Sequence, residues 1–81
     1  MSEPVEIDAL GLLCPLPVLR LSKRLLDLPS GTEVALLADD PIAQIDVPHF
    51  CAEAGHEFLG MEQIPAKDGD RAPHRFRVRR G

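Results

Sequence analysis

Apolar and polar residues follow two different periods along the chain, and each period predicts a different kind of element. Val5 and Ile7 alternate with Glu6 and Asp8, which is the pattern of a strand with one buried face. Further along, apolar residues recur every three or four positions and form one stripe of a helix: Val18, Leu21, Leu25 and Leu28. The Pro-Ser-Gly segment at residues 29–31 ends this helix. A strand followed by an amphipathic helix is therefore predicted for the first part of the chain.

The rest of the chain predicts three more strands and a second helix. Strand patterns are found in three segments: residues 34–38, 57–64 and 74–79. The last two segments are separated by a turn at residues 67–70. The second helix ends near Gly55 and can begin in either of two segments, 39–41 or 46–48, where a carboxylate precedes a proline. We prefer the start at Asp46.

The predicted order β-α-β-α-β-β indicates an α+β fold with two layers. The first two strands are joined through a helix, and right-handed crossover places that helix on one face of the sheet. With only two helices, the simplest assembly is a four-stranded mixed sheet with both helices on one face and the other face open. Arg75, Arg77 and Arg79 then alternate onto the open face, opposite Phe76 and Val78.

Length and composition limit the protein to one domain, residues 1–81. A chain this short buries only about 60 to 65% of its unfolded surface, so a deep, enclosed active site is not expected. The N-terminus has no signal-peptide pattern, and no segment is long enough to span a membrane. We therefore expect a cytoplasmic monomer without a bound cofactor, in which Cys14 and Cys51 stay reduced rather than form a disulfide.

Charge is distributed unevenly along the chain. Residues 1–66 hold eleven acids and three bases, whereas residues 67–81 hold six bases and two acids. A basic segment of this kind can contact RNA, but the chain has only three Phe and no Trp or Tyr to stack on bases. We interpret the arginine face as a solvated sheet surface and expect no direct binding of nucleic acid.

Cys14 is the residue whose surroundings point most directly to chemistry. It begins the sequence Cys-Pro-Leu-Pro at the predicted start of the first helix, where the helix dipole favours a thiolate. Pro15 and Pro17 lack N–H groups, so Leu16 and Val18 supply the backbone donors, and the fixed proline φ angles hold the turn ready for a partner. The chain has no Cys-x-x-Cys pair, which favours a lone thiolate that carries sulfur as a persulfide. The alternative is a small buried residue under the helix end.

Other polar residues have structural interpretations that we prefer. Cys51 lies in the second predicted helix and is expected to be buried and inert. His49, Cys51 and His56 fit no standard zinc spacing, so no metal site is predicted. Three aspartates near the predicted helix starts are expected to act as caps rather than as acid–base groups: Asp39, Asp40 and Asp46.

Two segments of the chain resemble the signatures of TusA-like (SirA/YedF-type) sulfur carriers. Residues 8–18 contain the Cys-Pro-x-Pro motif, and residues 38–41 together with 46–51 resemble the second signature. The resemblance implies the two-layer fold predicted above and a persulfide on Cys14. It also implies a cysteine desulfurase or rhodanese-like donor and a downstream acceptor protein in tRNA thiolation, sulfur oxidation or molybdenum-cofactor assembly. Lys23 matches a basic position on the first helix of the family.

The chain departs from the best-known tRNA-thiolation carriers on both sides of the motif. Leu13 and Leu16 stand where those carriers have Arg and Glu. We therefore expect a partner-docking surface that consists of Leu13, Pro15, Leu16, Pro17 and Lys23, although either leucine can instead pack inward. Two other functions stay open: an adaptor or regulatory module that uses the same turn without sulfur transfer, and a selenium- or redox-linked member of the family.

Overall fold

A computed structural model describes residues 4–66 and 72–81. Along the described chain the elements are β1 (Val5–Asp8), α1 (Leu16–Leu26), β2 (Glu33–Ala38), α2 (Ala43–Ala54), β3 (Glu57–Gln63) and β4 (His74–Arg79). The predicted order β-α-β-α-β-β is confirmed. The turn predicted at residues 67–70 lies outside the described residues. Neither α1 nor α2 has the length and apolar content that crossing a membrane requires.

The four strands form one mixed sheet in the order β1-β2-β4-β3. β1 and β2 are parallel and are joined through α1, whereas β4 is antiparallel to both of its neighbours, β2 and β3. The pairing of β3 with β4 is irregular between Phe58 and Gly60, and Gly60 has a φ of 143° that favours glycine. The predicted mixed sheet is confirmed, with β2 and β4 at its centre.

Both helices cover the same face of the sheet. Val34 and Leu36 of β2 lie opposite Val78 and Phe76 of β4, and all four side chains are fully buried. They form one core with residues from β1 and both helices: Ile7, Leu21, Leu25, Ala43, Val47 and Cys51. The apolar stripe of α1 therefore packs on the sheet as its period predicted.

The open face of the sheet carries a ladder of ion pairs. Three arginines of β4 each contact a glutamate of a neighbouring strand: Arg75 with Glu62 at 3.2 Å, Arg77 with Glu33 at 3.1 Å, and Arg79 with Glu57 at 2.8 Å. The predicted outward alternation is thus confirmed, and each basic side chain has an acidic neighbour.

The start of α2 differs from our preferred prediction. The helix begins at Ala43, not at Asp46, because Asp40 accepts a hydrogen bond from the Ile42 N–H at 3.0 Å and so starts the chain turning earlier. Pro48 then lies inside the helix, where it leaves one carbonyl without its helical donor. The predicted end is confirmed, since Gly55 follows α2 with a left-handed φ of 81°.

Candidate functional site

The loop that carries Cys14 lies at the edge of the sheet where β1 and β2 end. These strands are parallel neighbours, so the loop after β1 and the segment after β2 emerge side by side. Two consecutive aspartates of that segment bind the loop. Both carboxylate oxygens of Asp39 accept from the Gly11 N–H at 3.2 Å, and Asp40 Oδ2 accepts from the Cys14 N–H at 2.6 Å. The backbone around the cysteine is therefore held by the chain 26 to 28 residues further on.

Asp40 acts at two places at once. Its side chain is only 6% exposed, and its second oxygen receives the Ile42 N–H that precedes α2. The structural role expected for this residue is present, but it extends beyond the cap that the sequence predicted. A single carboxylate joins the cysteine loop to the start of the second helix.

The thiol of Cys14 is exposed and contacts a third aspartate. Its Sγ donates a hydrogen bond to Oδ2 of Asp46 at 2.9 Å. Asp46 lies in the first turn of α2, so this contact bridges the loop and the second helix. The sequence predicts a helix cap at Asp46, whereas the structure places its carboxylate on the sulfur.

The electrostatics at Cys14 are opposite to the sequence prediction. The pKa of the thiol is raised from 9.0 by the hydrogen bond to Asp46, by partial desolvation and by the negative charges of Asp46 and Asp40. α1 begins only at Leu16, and the Leu16 N–H donates to the Leu13 carbonyl at 2.8 Å, so this donor is used by the backbone. The expected stabilisation of a thiolate is wrong for this structure, since the neutral thiol is favoured.

Apolar side chains surround the loop on its exposed side. Leu13 is 55% and Leu16 is 49% exposed, so neither packs inward. Leu19, one turn after Leu16 on α1, is 56% exposed and extends the same surface. We call these three residues the leucine collar. The sequence predicts two members of the collar, Leu13 and Leu16, but not Leu19. The exposure of Leu19 follows from the helical period, because Leu19 does not fall on the buried stripe of α1.

The two prolines of the motif have different positions. Pro15 is exposed and lies at the N-cap of α1. Pro17 is fully buried in the second helical position. The ring of Pro17 is therefore not exposed on the surface that we expect partners to contact.

Lys23 is exposed on α1, seven residues after Leu16. That separation is about 10 Å along a helix, so Lys23 lies beyond the collar rather than beside the sulfur. It borders an open groove of about 400 Å³ that Arg20, Arg24 and Asp27 also line. This basic stretch of α1 lies beside two acidic residues of β1 that line the same groove, Glu6 and Asp8.

A second shallow groove, of about 320 Å³, runs between α1 and α2 beside the cysteine. Pro15, Asp46, His49 and Glu53 are among the residues that line it, and His49 Nε2 contacts the carboxylate of Glu53. Among residues 4–66 and 72–81, no cluster of three or more His, Cys, Asp or Glu side chains could hold a metal ion.

Cys51 is separated from this chemistry. It is 1% exposed in the core, and burial raises its pKa to about 11. Both cysteines are free. The prediction that Cys51 is buried is confirmed, and a thiol with this pKa and no access to solvent is a poor nucleophile.

Comparison with known proteins agrees with the resemblance of the motifs. The family model described as "Sulfurtransferase TusA" matches residues 5–80. The chain is 42% identical over 69 residues to a protein of Pseudomonas syringae pv. syringae named "Sulfur carrier protein TusA", a match that covers 76% of this chain and 82% of the relative. A protein of the same name from Pseudomonas savastanoi pv. phaseolicola is 41% identical with the same coverage.

A solved structure shares the fold. The crystal structure of a SirA-like protein from Desulfitobacterium hafniense superposes with a TM-score of 0.67 at 28% identity. The superposition covers 95% of this chain and 99% of that protein. The similarity therefore extends over the whole α+β sandwich.

Proposed function

Because the chain belongs to the TusA family of sulfur carriers, we propose that it accepts sulfane sulfur as a persulfide on Cys14 and transfers it to a downstream acceptor protein. The observation that carries this proposal is the exposed Cys14 thiol, displayed on a loop whose backbone is bound by Asp39 and Asp40. Because this loop is already held in place, the sulfur can contact the sulfur of another protein without the entropic cost of ordering the loop.

Loading is an exchange between two sulfur atoms without net oxidation. Cys14 Sγ loses its proton and attacks the outer sulfur of the donor's persulfide, so that a new S–S bond forms on Cys14. The S–S bond of the donor breaks, and the donor's thiolate takes up the proton. The reverse chemistry, with an acceptor thiol as the nucleophile, removes the sulfur again.

The position of the second cysteine supports a carrier rather than a dithiol redox cycle. A resolving thiol has to reach Sγ of Cys14, but Cys51 is buried in the core and its raised pKa disfavours its thiolate. A persulfide on Cys14 is therefore protected from conversion to an intramolecular disulfide and persists until an external acceptor arrives.

The leucine collar and the basic stretch around Lys23 supply the surface for partners. We propose a cysteine desulfurase or a rhodanese-like protein as the donor, and a sulfur-acceptor protein of tRNA thiolation, sulfur oxidation or molybdenum-cofactor assembly as the recipient. Exposed Leu13 and Leu16 favour donors with an apolar contact surface. Such an exchange belongs in the reducing cytoplasm, which is where we place the protein.

Sulfur loading can be tested by intact-mass measurement. The protein is incubated with a cysteine desulfurase and cysteine, and the expected result is the gain of one sulfur atom. Cys14→Ser abolishes the gain, whereas the matched variant Cys51→Ser retains it. Absence of the gain in the wild type with every tested donor, or loading of Cys14→Ser, contradicts the proposal. An adaptor module would bind partners without this mass change. A selenium-linked member would gain the mass of selenium when selenocysteine replaces cysteine in the incubation.

A further inference from the structure

Asp46 contacts the sulfur of Cys14 and yet is not needed to build the helix in which it lies. α2 begins three residues earlier, and Asp40 supplies the carboxylate that precedes it. We propose that Asp46 is a positioning residue that holds Cys14 in the unloaded carrier and releases it when a persulfide forms. This inference rests on the proposed function, because it concerns the loaded and unloaded states of the same cysteine.

The bridge between Cys14 and Asp46 depends on a proton on the sulfur. In the unloaded protein Sγ is the donor and Oδ2 of Asp46 is the acceptor, at 2.9 Å. After loading, Sγ is bonded to Cβ and to the outer sulfur and has no hydrogen to donate. This hydrogen bond can therefore exist only in the unloaded carrier, and loading breaks it.

Electrostatic repulsion acts in the same direction. Two carboxylates lie beside Cys14: Asp46 of α2 accepts from its Sγ, and Asp40 of the preceding segment accepts from its backbone N–H. Further along the groove, His49 contacts the carboxylate of Glu53. Negative charge on the sulfur is disfavoured beside Asp46 and Asp40. A deprotonated persulfide is thus driven away from α2, toward the exposed side of the loop where Leu13 and Leu16 lie. A partner that contacts this side meets a different surface in the loaded and unloaded states.

The first test measures how fast iodoacetamide alkylates unloaded protein across a pH range. Removal of the Asp46 charge in Asp46→Asn lowers the midpoint of the profile, because the thiolate is no longer repelled. The rate constant near neutral pH rises by roughly two- to fivefold, while the alkaline plateau falls, because a less basic thiolate is a weaker nucleophile. Mass analysis verifies that only Cys14 is modified. Glu53→Gln, which removes a carboxylate seven residues along the same helix, leaves the profile unchanged.

The outcomes separate a positioning role from a merely structural one. If Asp46→Asn only loosened the loop, the rate would rise at every pH and the midpoint would stay in place, and the inference would be overturned. An unchanged profile would overturn it as well. Neither result touches the proposed function, since sulfur loading of the wild type is measured separately by mass.

A second measurement needs no variant. The side-chain carboxyl carbon of Asp46 is followed by nuclear magnetic resonance before and after the protein is loaded with sulfur. We expect its resonance to shift on loading, while that of Glu53 stays where it was. The shift should reverse when dithiothreitol removes the sulfur. A resonance of Asp46 that is identical in the two states, in protein shown by mass to be loaded, would refute the release.

Discussion

The carboxylate of Asp40 links the cysteine loop to α2, and its removal should therefore destabilise the whole domain. It is 6% exposed and accepts from the Cys14 N–H at 2.6 Å and from the Ile42 N–H at 3.0 Å. In Asp40→Asn the volume is kept, but an NH₂ group faces one of these two donors. A hydrogen bond to a charged group contributes about 1.5 to 3 kcal/mol, and the second bond weakens with loss of the charge. We expect a loss of about 3 kcal/mol.

For a domain of this size each kcal/mol corresponds to about 4 to 8 °C in Tm, so Tm should fall by about 12 to 24 °C. Thermal unfolding followed by far-ultraviolet circular dichroism measures the change. Asp27→Asn is the matched control, because Asp27 is an exposed aspartate at the end of α1. We expect its stability to stay within about 0.5 kcal/mol of the wild type. A Tm of Asp40→Asn within about 2 to 4 °C of the control, which corresponds to about 0.5 kcal/mol, would refute the linking role.

Two further predictions concern docking and pH. Leu16→Ser should slow sulfur loading at limiting donor concentration but leave Tm and the rate of alkylation by iodoacetamide unchanged. The control is Leu26→Ser, at a residue that is 75% exposed near the far end of α1, and it should not slow loading. Equal loading rates of the two variants would rule out the leucine collar as the docking surface. His56 Nδ1 accepts the Gly81 N–H at 3.0 Å, and burial together with Arg80 lowers its pKa below 6.5. Because the unfolded chain binds this proton more readily, the stability contributed by His56 is complete above about pH 6.5 and is lost as the pH falls through the folded pKa. The free energy of unfolding, measured in urea, should fall less between neutral and mildly acidic pH in His56→Gln than in the wild type. An equal fall in the two proteins would show that His56 does not cause this pH dependence.

The fold was predictable because its signals are local. The stripe of α1 and the apolar run of β2 each occur within a few residues, and they decide which faces are buried. The start of α2 was harder, because two aspartate–proline segments give the same local signal. In the structure α2 follows the first segment, where Asp40 accepts hydrogen bonds from the Ile42 N–H before the helix and from the Cys14 N–H of the loop.

The identity of the reactive cysteine was predictable, but its electrostatic environment was not. Asp40 and Asp46 are 26 and 32 residues from Cys14, and their contribution to its pKa depends on how β1 and β2 align. One signal was present in the sequence: parallel neighbouring strands end at the same edge, so acids that follow β2 lie near a loop that follows β1. The burial of Pro17 depends on the rotation of α1 about its axis, which the motif alone does not define.

The arginine–glutamate ladder limits the long-range electrostatic field of the open sheet face. Each of Arg75, Arg77 and Arg79 is matched by a glutamate, so the three pairs together add no net charge to the open face. Such a surface produces only a short-range field, and it neither attracts polyanions through solution nor responds steeply to ionic strength. We therefore expect encounters with other macromolecules at the edge of the sheet where β1 and β2 end, because Asp40, Asp46 and the exposed leucines lie there around the sulfur.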